Sequence, residues 1–280
     1  MIYVPYVPQG ILADTLDAMF YLKGYSPEHD IERLVPDGKI AIVLVFDGQQ
    51  RFVYDNELLT PLQTCENAWI SGMHTGFISI SALKNTELLA IQFKVGKAFP
   101  FINQPLDTLQ DRVVPAQKMQ INKILGNEIL ALKDAVSSTS DPKDKLDRVA
   151  QWLTNRYDKQ LLPSEPISNA IQQIIANPVV PTIQKVMNRN VYSKKHFIHL
   201  FKKHVGLSPK ALQRVLRFAR VLTLIQEEKQ IQWAQISYEC GYFDQSHFIK
   251  DFLHFSGYNP AAFLKEDHDR SNFFPVDSDR

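Results

Sequence analysis

Two short stretches carry side chains suited to work on a polyanion. Over residues 193–206, helical spacing puts Lys195, Ile198, His199 and Lys202 on one arc, with Lys194 at its start, and Phe197, Leu200, Phe201 and His204 on the other. Over residues 244–257, Phe248, Phe252 and Phe255 share the inner arc, leaving Gln245, Ser246, His247, Ile249 and Lys250 outside. Lysines attract phosphates, and Gln, Ser and Lys side chains can bond base edges. The plain alternative is a solvated basic face.

Other reactive residues form no constellation. His196, His199 and His204 do not converge on one face, so they make no zinc site and no metal is expected. Cys240 precedes a turn glycine and reads as core. Cys65 lies in a polar stretch, where a redox role would need a lowered thiol pKa that no sequence neighbour supplies. Gly-rich phosphate loops, GxSxG elbows and HExxH pairs are absent from the sequence, and the chain is expected to be neither enzyme nor cofactor carrier.

The two polyanion stretches must be held by helices. Ser193 can cap the first helix and Gly206 end it; Asp244 and Gly257 can do the same for the second. Upstream, Thr182–Arg189 predicts a short helix joined by Asn190-Val191-Tyr192, and Gln232–Cys240 with Gly241 predicts its counterpart. Between the units Pro209–Glu227 forms one long helix with an apolar stripe through Leu212, Val215, Leu216, Ala219, Leu222 and Ile225, and Arg214, Arg217 and Arg220 around it. An offset of 51 residues superposes the units: His196 on His247, Phe197 on Phe248, Phe201 on Phe252, Gly206 on Gly257 and Pro209 on Pro260. They are two related helical units in tandem.

The first third reads as β. Ile40–Phe46 is followed by an Asp47-Gly48 turn and Arg51–Tyr54, with further strands at Ala68–Ser71, Gly76–Ser81 and Leu88–Phe93. That spacing predicts a small barrel or sandwich. Trp69, Phe77 and Phe93 are candidate lining residues of an effector pocket inside it. From Gln117 the texture turns helical, with Ile121, Ile124, Leu125, Ile129 and Leu132 in phase and a second helix from Asp141-Pro142 to about Tyr157. The expected fold is α+β in two domains: a β-rich, barrel-like sensor over 1–118, a helical connector over 119–166, and an all-α double helix-turn-helix domain over 167–268. Residues 269–280 are expected to be a mobile tail.

Charge follows this division. Residues 181–265 hold 13 Lys/Arg against 5 Asp/Glu, whereas residues 1–180 hold 16 against 20, although the whole chain is only +1. A basic block beside an acidic remainder implies a polyanion-binding domain attached to something else. With 280 residues, 45% of them hydrophobic, the chain can fill about two cores and is not disordered or collagen-like. Its apolar runs are too short to span a membrane, its start does not read as a secretion signal, and two cysteines make no disulfide framework, so the cytoplasm is the expected location.

The stretch Tyr192-Ser-Lys-Lys-His-Phe-Ile-His-Leu-Phe-Lys-Lys-His-Val-Gly-Leu-Ser-Pro209 resembles the first helix-turn-helix of AraC/XylS-family transcription factors, and Arg217-Phe-Ala-Arg-Val-Leu222 resembles their linker helix. Ile236-Ser-Tyr-Glu-Cys-Gly-Tyr-Phe-Asp-Gln-Ser-His-Phe-Ile-Lys-Asp-Phe252, with Gly257-Tyr-Asn-Pro260, resembles the family signature almost position by position. The likeness covers about 100 of the 280 residues. Departures fall at Val186, Asn190 and Ser237, where the family usually has Ala, Gly and Ala, and at His199, where arginine is common. Leu34-Val-Pro-Asp-Gly-Lys39 and Ser71-Gly72-Met-His-Thr75 look like cupin-like sensor domains of some members, although His29 and His74 are too few for a metal-dependent cupin enzyme. The resemblance implies a regulator with double-stranded DNA, RNA polymerase, a small-molecule effector and a second copy of the chain as partners, and no membrane. Two alternatives stay open: a ligand-binding or enzymatic cupin-like protein with an accessory helical domain, and a protein-interaction module on this fold.

Overall fold

Hydrogen bonding sorts the strands of the computed structural model, which describes residues 1–119, 122–179, 192–227, 231–264 and 273–276, into two antiparallel sheets. The strands are β1 (Ile2–Pro5), β2 (Leu16–Tyr25), β3 (Ile31–Leu34), β4 (Ile40–Val45), β5 (Arg51–Tyr54), β6 (Pro61–Cys65), β7 (Ala68–Ser71), β8 (Ile78–Ser81), β9 (Thr86–Phe93), β10 (Val113–Pro115) and β11 (Phe273–Pro275). The larger sheet runs β1-β2-β9-β4-β7-β10 and the smaller β11-β3-β8-β5-β6. They face each other without closing into one hydrogen-bonded barrel. At the seam between β6 and β10, Gln63 Nε2 donates to the Val113 carbonyl at 2.7 Å. The expected barrel is thus an open, two-sheet form.

The larger sheet is apolar on both faces. In β4, Ile40, Ile42 and Leu44 are buried completely, whereas Ala41 and Val43 between them are only half-buried. The first set belongs to the core shared with the helices; the second faces the smaller sheet. This double-sided character hid β2 from the sequence reading, which placed no strand before Ile40. Met19 and Tyr21 are buried on one face while Phe20 and Ala18 line the other, so no polar alternation marks the strand.

Helices follow: α1 (Ile11–Thr15), α2 (Phe99–Ile102), α3 (Lys123–Ser137), α4 (Pro142–Arg156), α5 (Glu165–Ala176), α6 (Lys194–Val205), α7 (Pro209–Glu227), α8 (Trp233–Glu239), α9 (Gln245–Ser256) and α10 (Pro260–Phe263). Asp141 caps α4 by accepting from Lys143 N, with Pro142 in its first turn. In α3 the inward stripe is Leu125, Ile129, Leu132 and Val136; Ile124 is 72% exposed, so its assignment to the stripe was wrong by one position. Ile121, the helix expected over Thr182–Arg189, and Val186 and Asn190 lie outside the described residues.

The C-terminal helices lean on the sheets. α6 packs on the 3-10 turn Leu106–Leu109, and the buried His204 ring meets Phe99 edge-on at 4.5 Å. Arg33, on β3, donates from Nη1 to the Gly257 carbonyl at 3.0 Å, its guanidinium lying between Phe77 (4.8 Å) and Tyr258 (4.4 Å). Gly38 approaches α7 so closely that an added Cβ would lie 3.1 Å from Leu216 Cδ2. Within the segment 269–280, expected as a tail, the described residues Phe273–Pro275 form β11, which pairs with β3 through Phe273–Leu34 and Pro275–Glu32. An open strand edge with unpaired backbone groups supplied the partner that local composition did not reveal.

Candidate nucleic-acid interface and effector cavity

The 51-residue repeat is one of conformation as well as residue type. Ser193 Oγ accepts from His196 N, and Asp244 Oδ1 accepts from His247 N at 2.7 Å, so each helix starts on an equivalent side-chain cap. Each ends on a left-handed glycine, Gly206 (φ 101°) or Gly257 (φ 75°). The helix after each starts on a capped proline: Ser208 Oγ accepts from Ala211 N, and Asn259 Oδ1 accepts from Ala262 N. Phe197 and Phe201 in α6, and Phe248 and Phe252 in α9, are buried at matching positions.

The outward faces also match. Lys194, Lys195 and His199 on α6 are exposed, with Ile198 and Lys202 half-buried beside them; Gln245, Ser246, His247, Ile249 and Lys250 on α9 are all exposed. Each unit therefore presents polar and cationic groups on a helix held rigidly from behind, the arrangement that major-groove reading requires. The second unit has both its helices among the described residues: α8, Gly241 at φ 69°, then Asp244 and α9.

Two of the three α7 arginines are structural. Arg214 Nη2 donates to Asp251 Oδ1 at 2.7 Å, Asp251 being 5% exposed on the inner side of α9. The Arg217 guanidinium lies 5.1 Å over the Tyr242 ring. Both tie the long helix to the second unit; Arg220 is exposed. The three histidines of the first unit diverge as their spacing predicts. His196 and His199 face solvent, and burial pushes the His204 imidazole down to about 4, so it is neutral at physiological pH. Among the described residues no group of three metal-ligating side chains comes together.

A cavity of about 550 Å³ lies between the two sheets. Strand alternation supplies its walls: Ala18 and Phe20 from β2, Ala41 and Val43 from β4, Ile78 and Ile80 from β8. Of the lining residues expected from sequence, Trp69 is there. Phe93 is not, because it sits one position out of phase with Gln92 and packs on Phe101 at 5.1 Å. Phe77 is not either; its ring sits against Arg33 at the domain junction. Sequence reasoning missed the polar members of the wall, Glu32, Arg51 and His74, because they come from three separate elements with no spacing to link them. His74 is held neutral by burial, its imidazole pushed down to about 4, and its Nε2 lies 3.0 Å from Ser71 Oγ. Cys65 is buried in the same wall, and burial raises its thiol, which opposes a thiolate-based redox role. Cys240 is core, its thiol pushed up to about 11.

Residues 188–266 match the family model described as a helix-turn-helix domain, and residues 5–115 match a domain of unknown function, DUF6597. No curated protein matches the chain. Among solved structures, ToxT from Vibrio cholerae is similar at 11% identity over 88% of this chain and 98% of that one, with a TM-score of 0.45. An apo, singly substituted variant of ToxT is similar at 12% identity over 88% and 97%, TM-score 0.46, and the unsaturated-fatty-acid-bound wild type at 14% over 87% and 94%, TM-score 0.43. Among the described residues no helix is long and apolar enough to cross a membrane.

Proposed function

We propose that this chain, whose C-terminal domain is a helix-turn-helix domain of the AraC type, is a transcription regulator that reads DNA with the outward faces of α6 and α9 and responds to a small molecule held between its sheets. The observation that carries the reading is the paired conformation: two capped helices 51 residues apart, each buried on a phenylalanine face and each exposing lysine and hydrogen-bonding side chains. A merely solvated surface has no reason to repeat cap, face and terminating glycine together. The two helices enter successive major grooves on one side of the duplex, about 34 Å apart, with α7 setting their separation. Base contacts are assigned to Lys195, His199, Gln245, Ser246 and Lys250, with Lys194, Lys202 and His247 on the flanking backbone and Ile198 and Ile249 as apolar contacts. Functional division follows the boundaries 1–118, 119–166 and 167–268.

The segment 32–39 links the parts. Glu32 and Leu34 line the cavity, while Arg33 between them reaches Gly257 at the end of α9, and Gly38 meets α7. A wall residue displaced by an occupant therefore moves a group that touches the DNA-reading unit. Selection of bound DNA from a random pool, with the full chain, tests the assignment. The expected site has two informative blocks about 10 base pairs apart, one blurred by His199→Ala and the other weakened by Lys250→Ala. One block, unaffected by His199→Ala, would limit reading to the second unit.

A further inference from the structure

The charges around the cavity say what kind of molecule it accepts. Arg51, 8% exposed, is engaged by Asp47, whose carboxylate takes its two guanidinium nitrogens at 2.5 and 3.1 Å. Lys39 is shared between Asp17 at 2.7 Å and Asp37 at 3.3 Å. Glu32, 4% exposed, accepts from the Tyr25 hydroxyl at 2.5 Å and lies 3.1 Å from His29 Nε2. Each charged side chain at the wall thus has a partner within the chain. Counting those partners, carboxylates outnumber cations. An anion entering here would shed its hydration and meet no unengaged side-chain cation, a desolvation cost left largely uncompensated. A cation would have to share the Glu32 carboxylate with Tyr25 and His29, both of which contact its Oε1. The remaining wall is largely hydrocarbon and aromatic, with neutral hydrogen-bonding groups that include the Ser71 hydroxyl, the neutral His74 imidazole and the Gln92 amide on one side.

We propose that the cavity binds an uncharged, predominantly apolar molecule carrying a hydroxyl, carbonyl or similar neutral polar group, held by the Ser71, His74 and Gln92 side of the wall. This rests on the cavity being the effector site. Such an occupant displaces water from half-buried apolar side chains, which is where its affinity comes from. Selectivity against ions follows from the internal pairing and needs no repulsive residue beyond those named.

Three probes with one ten-carbon chain and different heads separate the possibilities: decan-1-ol, decanoate and decyltrimethylammonium, titrated at pH 8 against the full-length protein by displacement of the uncharged fluorophore N-phenyl-1-naphthylamine. Decan-1-ol is expected to bind at least tenfold more tightly than either ion. Asp47→Asn, which frees the charge of Arg51 while keeping an acceptor, is expected to narrow the gap to decanoate severalfold and leave decan-1-ol unchanged. Ala18→Phe, which fills the cavity, should abolish fluorophore binding, and Ala41→Phe does so from β4, on the far side of β9, should the first variant not fold. Decanoate or the ammonium binding as tightly as the alcohol in the wild-type protein would overturn the neutral assignment alone. Failure of the fluorophore and all three probes to bind, or binding that survives both fillings, would overturn the effector-site reading itself.

Discussion

Replacing Gly257 and Gly206 by alanine, one at a time, separates the conformational role of a helix-ending glycine from the docking of the helix-turn-helix region on the sheets. Both residues end equivalent helices in the left-handed region, at φ 75° and φ 101°. A Cβ in that region costs about 1–2 kcal/mol. Gly206 lies farther from the left-handed well near 57°, so backbone strain alone makes Gly206→Ala the costlier change. Contacts rank them the other way. At Gly257 a Cβ would stand 2.8 Å from Phe77 Cζ and 2.9 Å from Arg33 Nη1, whereas at Gly206 its nearest neighbour is the Leu106 carbonyl oxygen at 3.4 Å. Forcing an atom into packed space costs about 1–3 kcal/mol. Gly257→Ala should therefore cost about 2–5 kcal/mol and Gly206→Ala about 1–2 kcal/mol. Urea unfolding of the full chain, followed by tryptophan fluorescence, measures both. In an Arg33→Ala background the excess at Gly257 should shrink, because the two groups share one contact. Equal losses, or a larger loss at Gly206, would refute the docking argument.

Lys202→Ala should weaken binding to all DNA sequences and reduce the salt slope by about one, whereas Gln245→Ala should cost about 1–3 kcal/mol on the selected site only; anisotropy titrations at several salt concentrations distinguish them, and equal loss on random DNA would remove Gln245 from base reading. His204 is neutral in the fold, at about 4 against 6.5 unfolded, so the unfolded chain binds the extra proton and stability is lost as pH falls through that window. The loss reaches at most about 2 kcal/mol by pH 5, before solvent screening reduces it. His204→Phe, which places at position 204 the residue its repeat partner Phe255 already has, should leave stability at pH 7.5 intact and remove this share of the acid sensitivity; an unchanged stability difference between pH 7.5 and pH 5 would refute it.

The helical half was legible because its signals are local. Ser193, Asp244, Gly206, Gly257 and the two prolines sit within a few residues of the backbone groups they satisfy, and the phenylalanine stripes need only a helical wheel. The strands from Ile40 to Phe93 were legible for the same reason, except β6, whose polar Gln63-Thr64-Cys65 reads as loop. What escaped depends on distant partners. β11 exists through its pairing with β3, some 240 residues earlier in the chain. The roles of Arg214 and Asp251 arise from a contact between two helices, and nothing in Lys250-Asp251-Phe252 indicates that the carboxylate is buried. Most of the cavity's lining escaped because apolar residues look alike whether they face a filled core or an empty one; Trp69 and Phe93 differ only in strand phase.

β11 also changes the kinetics available to the molecule. The helix-turn-helix region is attached to the sheets through the connector before it and through this strand after it, so its helices lie within a loop closed at both ends. Losing the Arg33 clasp would not set them adrift. Reseating is then intramolecular and insensitive to dilution. Any excursion is confined to a swing about the line joining the two anchors.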